Sequence, residues 1–247
     1  MNFTEKQRYN IDDLIEIMAL LRGENGCPWD KEQDHHSIRK NLIEETYEVV
    51  EAIDNDDQLL LREELGDLLL QVVFHAQIEK EKDAFDFSDV ANDICKKLIV
   101  RHPHIFSDIS VQNTDEVLSN WEDIKKQTKG QTKCSETLDD VPKTLPSLMR
   151  ASKVLQRASK GGYGIDSLED AMADLTSRVK ALESGLEHGK IANETPDLGG
   201  VLLSVVNISR IISLDSEKDL TFATEKFINR LRDNEDKAFL RGFKDEA

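Results

Sequence analysis

The stretch Glu64-Leu65-Gly66-Asp67-Leu68-Leu69-Leu70-Gln71-Val72-Val73-Phe74-His75-Ala76-Gln77-Ile78 decides the fold. Its apolar residues cover most of a helical circumference, the pattern of a buried helix and not of a surface one. The polar residues do not scatter. At about 100° per residue from Glu64, Asp67 falls near about −60°, Gln71 near about −20° and His75 near about +20°, so they form one stripe. Carboxylates on such a stripe inside an apolar bundle repel one another and lose hydration unless something neutralises them.

The preceding helical stretch supplies more acid. Glu44 and Glu48 share one stripe, with Glu45 flanking it. If this helix packs antiparallel to the one bearing Glu64 and Asp67, five carboxylates converge: Glu44, Glu45, Glu48, Glu64 and Asp67. A cluster of oxygen donors without cysteine suits a hard divalent cation, Mg²⁺ or as a substitute Mn²⁺. The competing interpretation is a helix edge facing water, with Glu44, Glu45 and Glu51 as ordinary surface residues. Two matched clusters beside an apolar helix weigh against it.

Outward from this centre, helical periodicity dominates and no alternating strand is found, so the expected class is all-α. The pattern predicts helices over 11–22, 37–54, 57–82, 88–100, 115–127, 144–158, 167–186, 196–213 and 219–240. Ser37 and Ser88 are the expected N-caps, Thr114 precedes Asp115-Glu116, and Thr195-Pro196 pairs a cap with proline at the first helical position. His102-Pro103 ends the fourth helix, because a residue before proline is pushed out of helical space.

The segment 128–146, with Lys129-Gly130, Thr132-Lys133 and two prolines, interrupts the pattern and is expected as a connector between a first domain, 1–127, and a second, 147–247. The halves are related. Gly66–Val73 and Gly199–Val206 agree at five of eight positions, at a constant offset of 133 residues, so a duplicated helical unit is the simplest account. The same offset carries Glu44, Glu45, Glu48, Glu64 and Asp67 onto Ser177, Arg178, Ala181, Asp197 and Gly200. One carboxylate survives. Gln71 and His75 become Ser204 and Ile208. The second half is therefore expected to keep the packing and to have lost the metal chemistry.

The chain has 247 residues, enough for one large domain or two small ones. Its formal net charge of −17 repels a nucleic-acid polymer from the average surface, while small anions held through a metal stay admissible. Hydrophobic residues at 38%, in well-spaced helical patterns, place the chain among folding sequences despite 33% charged residues. Cys27, Cys95 and Cys134 lack metal-site spacing and fit a reduced, cytoplasmic setting. No apolar run approaches the roughly 20 residues that span a bilayer, so no membrane is expected as a partner.

Four motifs in order, Asn25 to Gln33, Glu44-Glu45 with Glu48, Glu64 with Asp67, and Arg101-His102-Pro103-His104-Ile105-Phe106, closely resemble the MazG-type nucleoside triphosphate pyrophosphohydrolases. The resemblance extends over essentially the whole chain, including Trp121 and Leu138 to Pro142, and is strongest from Leu14 to Phe106. It implies an all-α fold, Mg²⁺-dependent cleavage of a nucleoside triphosphate to monophosphate and pyrophosphate in nucleotide-pool house-cleaning, and a homodimer. It carries the magnesium onto Glu44, Glu45, Glu48, Glu64 and Asp67. Members of this length often bear carboxylate clusters in both halves, so activity here would rest on the first.

For the reaction, Glu45, Glu48, Glu64 and Asp67 are the expected catalytic residues, with Glu45 nominated as base. Lys31, Lys97 and Arg101 are candidates for the phosphates, and the family pattern adds weight to Lys31 and Arg101. Trp29 can stack on a base or anchor the core. His102 and His104 can meet nucleotide or finish a helix end, and Gln71 and His75 are expected as hydrogen-bond partners of the cluster. A di-iron site is a poor match, since Glu32 and His35 form a single, unpartnered glutamate–histidine pair. A non-catalytic, partner-binding helical scaffold with a residual metal site is the remaining alternative. Base and sugar preference are not encoded in any recognisable residue.

Overall fold

In a computed structural model the described residues are 4–107, 111, 113–187 and 197–245. They form helices α1 (Ile11–Arg22), α2 (Pro28–Glu32), α3 (Arg39–Asp54), α4 (Gln58–Lys80), α5 (Phe87–Arg101), α6 (Pro103–Phe106), α7 (Thr114–Thr128), α8 (Cys134–Asp139), α9 (Ser147–Lys160), α10 (Leu168–Glu187), α11 (Leu198–Ile211) and α12 (Ser216–Asp245), with no strand among them. The fold is all-α and built of duplicated helical units. The chain divides into two compact units, Met1–Trp121 and Glu122–Ala247.

In the first unit, α4 is the central element, packed on α1, α3 and α5. Its buried residues Val73, Phe74 and Ile78 meet Met18 of α1 and Ile38, with Leu14, Ile15, Leu21, Leu70 and Phe87 packed around them. Arg22, at the end of α1, ties three elements together. Its guanidinium pairs with Glu81 at 2.8 Å, donates to the Gln33 carbonyl at 3.0 Å and lies 5.2 Å from the Phe74 ring centroid. The expectation that α4 is buried all round holds only for its second half. Leu59, Leu65 and Leu69 are exposed, because among the described residues of this unit α3 covers one side of the stretch and the other is left open.

Helix starts follow the physics of unsatisfied N–H groups, though not always at the expected residue. Reciprocal capping boxes start α1, between Asn10 and Asp13, and α5, between Asp86 and Asp89. Asp86, and not Ser88, is thus the cap of α5. Ser37 does not cap α3, whose N-cap is Ile38; the Ser37 N–H instead donates to Asp34 Oδ1 at 2.8 Å. Asn113 Oδ1 accepts from Glu116 N at 2.9 Å, making Thr114 the first helical residue. Thr195 and Pro196 lie outside the described residues. The α3–α4 turn is short, with Asp56 in the left-handed region at φ 53° and Asp57 accepting from Leu59 N and Leu60 N.

In the second unit, α10 packs on α11, which corresponds to α4 in the repeat. α9 adds a further layer against α8, α11 and α12. Val141, Ala171 and Val206 are buried, and Asn207 at the position of Phe74 donates to the Ile165 carbonyl at 2.9 Å. The segment expected as a bare connector holds α8, which is part of this packing. No single helix among the described residues is long and apolar enough to cross a membrane.

Candidate active site on the α3–α4 hairpin

Which carboxylates of α3 face α4 is set by its buried residues, Val49 and Ala52. Relative to Glu48, Ala52 lies at about +40°, Val49 at about +100°, Glu45 at about +60° and Glu44 at about −40°. Glu45 therefore sits in the middle of the packed face, Glu48 at its edge and Glu44 beyond it. Carboxylate oxygens of Glu45, Glu48 and Glu64 all lie within 4.8 Å of one another, a spacing that one cation can bridge. Glu44 is exposed and outside that group.

Electrostatics brings Asp67 into the cluster. Partial burial pushes the Glu45 carboxyl above its ordinary range, helped by a hydrogen bond with Glu48 and by the charges of Glu48, Asp67 and Glu64. Burial raises Glu64 too, followed by the charges of Glu48, Asp67, Glu63 and Glu51. Glu51, named in the sequence only under the water-facing interpretation, is thus close enough to be felt. Like charges held together with little water resist ionisation, and a divalent cation relieves that resistance.

Further along the α4 stripe the expected hydrogen bonds to the cluster are not made. Gln71 is 8% exposed, with its Oε1 unpartnered. His75 turns to His35, Nδ1 to Nδ1 at 2.7 Å with rings stacked 5.0 Å apart, and His35 Nε2 reaches Glu79 Oε1 at 2.5 Å. Glu79 also pairs with Lys82 at 2.6 Å. His35 precedes α3 in an irregular segment, so no helical period connects it to His75.

The candidate phosphate and base contacts are spread over other elements. Lys31 Nζ donates to the Glu24 carbonyl at 2.7 Å, and Trp29 is 57% exposed, so it is not a core anchor. Lys97 and Arg101 are on α5, which packs against α4, and the Arg101 guanidinium lies 4.9 Å from the Trp121 ring centroid. His102 caps α5, with its Nδ1 2.7 Å from the Leu98 carbonyl, and His104 has a buried, unpartnered Nδ1.

The corresponding place in the second unit is chemically inverted. Arg178, at the position of Glu45, pairs with Asp174 at 2.9 Å and with Asp197, at the position of Glu64, at 3.4 Å. Ser204, at the position of Gln71, donates to Asp174.

A helical hairpin that gathers carboxylates from two neighbouring helices, in an all-α unit, defines a candidate divalent-cation site. Residues 33–106, which contain it, match the family described as MazG nucleotide pyrophosphohydrolase domain. The nucleoside triphosphate pyrophosphohydrolase of Escherichia coli (strain K12) is 41% identical over 238 residues, covering 94% of this chain and 89% of the relative. The nucleoside triphosphate pyrophosphohydrolase/pyrophosphatase MazG of Thermotoga maritima is 39% identical over 225 residues, covering 91% of this chain and 85% of the relative. A mazG-related protein from Thermotoga maritima, known from a crystal structure, is 26% identical with a TM-score of 0.41, over 47% of this chain and 99% of that one. This chain belongs to the MazG family.

Proposed function

We propose that the protein is a Mg²⁺-dependent nucleoside triphosphate pyrophosphohydrolase, releasing a nucleoside monophosphate and pyrophosphate, with its active site on the α3–α4 hairpin. The observation that carries this is the convergence of Glu45, Glu48 and Glu64 within 4.8 Å beside Asp67. An all-carboxylate donor set whose members disfavour one another's charge fits Mg²⁺, with Mn²⁺ as a substitute. Glu45, Glu48, Glu64 and Asp67 would hold the metal, with Glu44 outside the trio. When bound, the ion neutralises phosphate oxygens and acidifies a water for attack.

The chain's own groups do the rest. Glu45, in the middle of the packed face between Glu48 and Glu64, is placed to accept a proton from the attacking water. Lys97 and Arg101, one turn apart on α5, present cations to phosphate oxygens, and Arg101 is steadied by Trp121. Lys31 adds a third cation, while the exposed Trp29 offers a ring face to the base. The enzyme works as a homodimer. Supporting this, α3 carries Ile43, Tyr47 and Val50 exposed at helical spacing, next to the uncovered Leu65 and Leu69 of α4. Three free cysteines fit a reducing cytoplasm, where nucleotide-pool house-cleaning takes place.

The test is a panel of nucleoside and deoxynucleoside triphosphates with Mg²⁺, assayed for monophosphate and pyrophosphate. Release that vanishes with EDTA and in Glu64→Gln is the expected result. Release unchanged by either treatment sinks the assignment and leaves the hairpin as a scaffold.

A further inference from the structure

A cavity lies away from the acidic hairpin. It lies within the second unit, about 690 Å³ in volume, between the end of α7, α8 and the end of α9. That volume is in the range of small-molecule sites. Its charge is opposite to that of the chain. Lys125, Lys126, Lys133, Arg157 and Lys160 line it, with no aspartate or glutamate among the described lining residues, although the protein carries a net charge of −17. Two acids of the same segment have partners of their own: Glu136 accepts from the Thr132 and Lys133 N–H groups at 2.8 and 3.0 Å, and Asp140 is held by Lys129 at 2.7 Å and Gln131 at 2.8 Å and also feels the charge of Lys125.

The walls are fixed before any ligand arrives. Arg157 donates to the Thr137 carbonyl, and Cys134 packs so tightly on Gly161 that a Cβ at Gly161 would stand 2.4 Å from its sulfur. Tyr163 lies at the rim, 79% exposed, with its ring offered to solvent. Lys126 and Lys133 bring positive charge to one hollow whose lining is basic, and a small anion of several charges can meet them together. A nucleic-acid polymer would bring the rest of its charge against an acidic surface, whereas a small polyphosphate would not.

We propose that this cavity is a second ligand site, which binds a small polyphosphate: a nucleotide or inorganic pyrophosphate. The multiple phosphates are the shared chemistry, and Tyr163 is the feature that would favour the nucleotide.

The experiment titrates the full chain calorimetrically in EDTA, so that the α3–α4 site holds no metal, with pyrophosphate and separately with α,β-methylene-ATP. Saturable binding is expected, about tenfold or more weaker in K126E/K133E and unchanged in E45Q. Circular dichroism checks the fold, and K133E alone, at an exposed position, carries the test should the double variant unfold. Tighter binding of the nucleotide analogue, reduced in Y163A, assigns the site to nucleotides; equal binding, indifferent to Y163A, assigns it to pyrophosphate. No saturable binding, or binding that persists in the lysine variants, overturns the proposal. None of these outcomes depends on hydrolysis, so failure here leaves the first-unit assignment standing, and the reverse.

Discussion

Corresponding positions in the two units solve one electrostatic problem in opposite ways. The first unit presents Glu45, Glu64 and Asp67, and burial with mutual repulsion pushes Glu45 and Glu64 up from their ordinary carboxyl range. The second presents Arg178, Asp197 and Gly200. There Arg178 is stabilised in its charged form by a hydrogen bond to Asp174, while Ser204 and then Arg178 pull Asp174 down. Gly200 is part of that solution. A Cβ there would fall 2.1 Å from Asp197 Oδ2 and 2.5 Å from the Arg178 guanidinium, so a side chain where the first unit carries Asp67 would displace the ends of this ion pair. Only the first unit asks for a cation from outside.

The largest expected difference lies in activity. Glu45→Ala or Asp67→Ala should lower pyrophosphate release about a thousandfold or more with little change in circular dichroism, whereas Asp197→Ala should alter it less than about twofold. Steady-state assays on the purified variants decide it, and a large loss in Asp197→Ala would break the comparison. Within α3 the same assay separates neighbours: Glu44→Ala should cost less than about tenfold, because Glu44 is exposed and outside the carboxylate trio.

A second expectation concerns core packing. Val73→Ala and Val206→Ala occupy matched, fully buried positions and should each cost about 2 kcal/mol in the unit that carries them. Only Val73→Ala should also depress hydrolysis, as followed by denaturant unfolding alongside turnover.

Reversing the second unit's charge sharpens the contrast. Arg178→Glu places a third acid beside Asp174 and Asp197, so the variant should melt lower than the parent in EDTA and regain stability on adding Mn²⁺. At tenfold the dissociation constant that recovery amounts to about 1.4 kcal/mol. Thermal melts unmoved by Mn²⁺ would show that acids alone do not rebuild the site.

The smallest effect is in pH. Raised Glu45 and Glu64 carboxyls of the metal-free hairpin cost stability above their folded pKa values, and that cost disappears below the unfolded value, so on mild acidification the hairpin gains from them, while His75, whose pKa burial lowers, takes stability away as the unfolded imidazole protonates. Asp174 has the opposite sign: its contribution is present above the unfolded value and is lost as pH falls through the depressed one. Hydrogen exchange resolved by segment, in EDTA between pH 7 and 4, should show α3–α4 gaining protection before α10–α11 loses it. Glu45→Gln should flatten the first trend.

Much of this was legible in the sequence because it is local. The stripe on α4 and the offset repeat depend on periods of one helix, which residue order reports directly. The helical period puts Glu44 on the Glu48 stripe and Glu45 only beside it, and the opposite order comes from Val49 and Ala52 packing on α4. His35 was invisible for the same reason, being brought to His75 by tertiary structure from outside any helix. The helices α2, α6 and α8 are shorter than the window that reveals a period. A bare linker was therefore expected where α8 forms one wall of a cavity.

The acidic residues that matter all fall between positions 45 and 67, on either side of the tight Asn55–Asp57 turn. Forming that constellation closes almost no chain, so the cost of assembling it is small and nearly independent of what surrounds it. Such a hairpin is inherited as a cassette: it can be copied in tandem, kept in one copy and retired in the other, without redesign of the rest of the polypeptide.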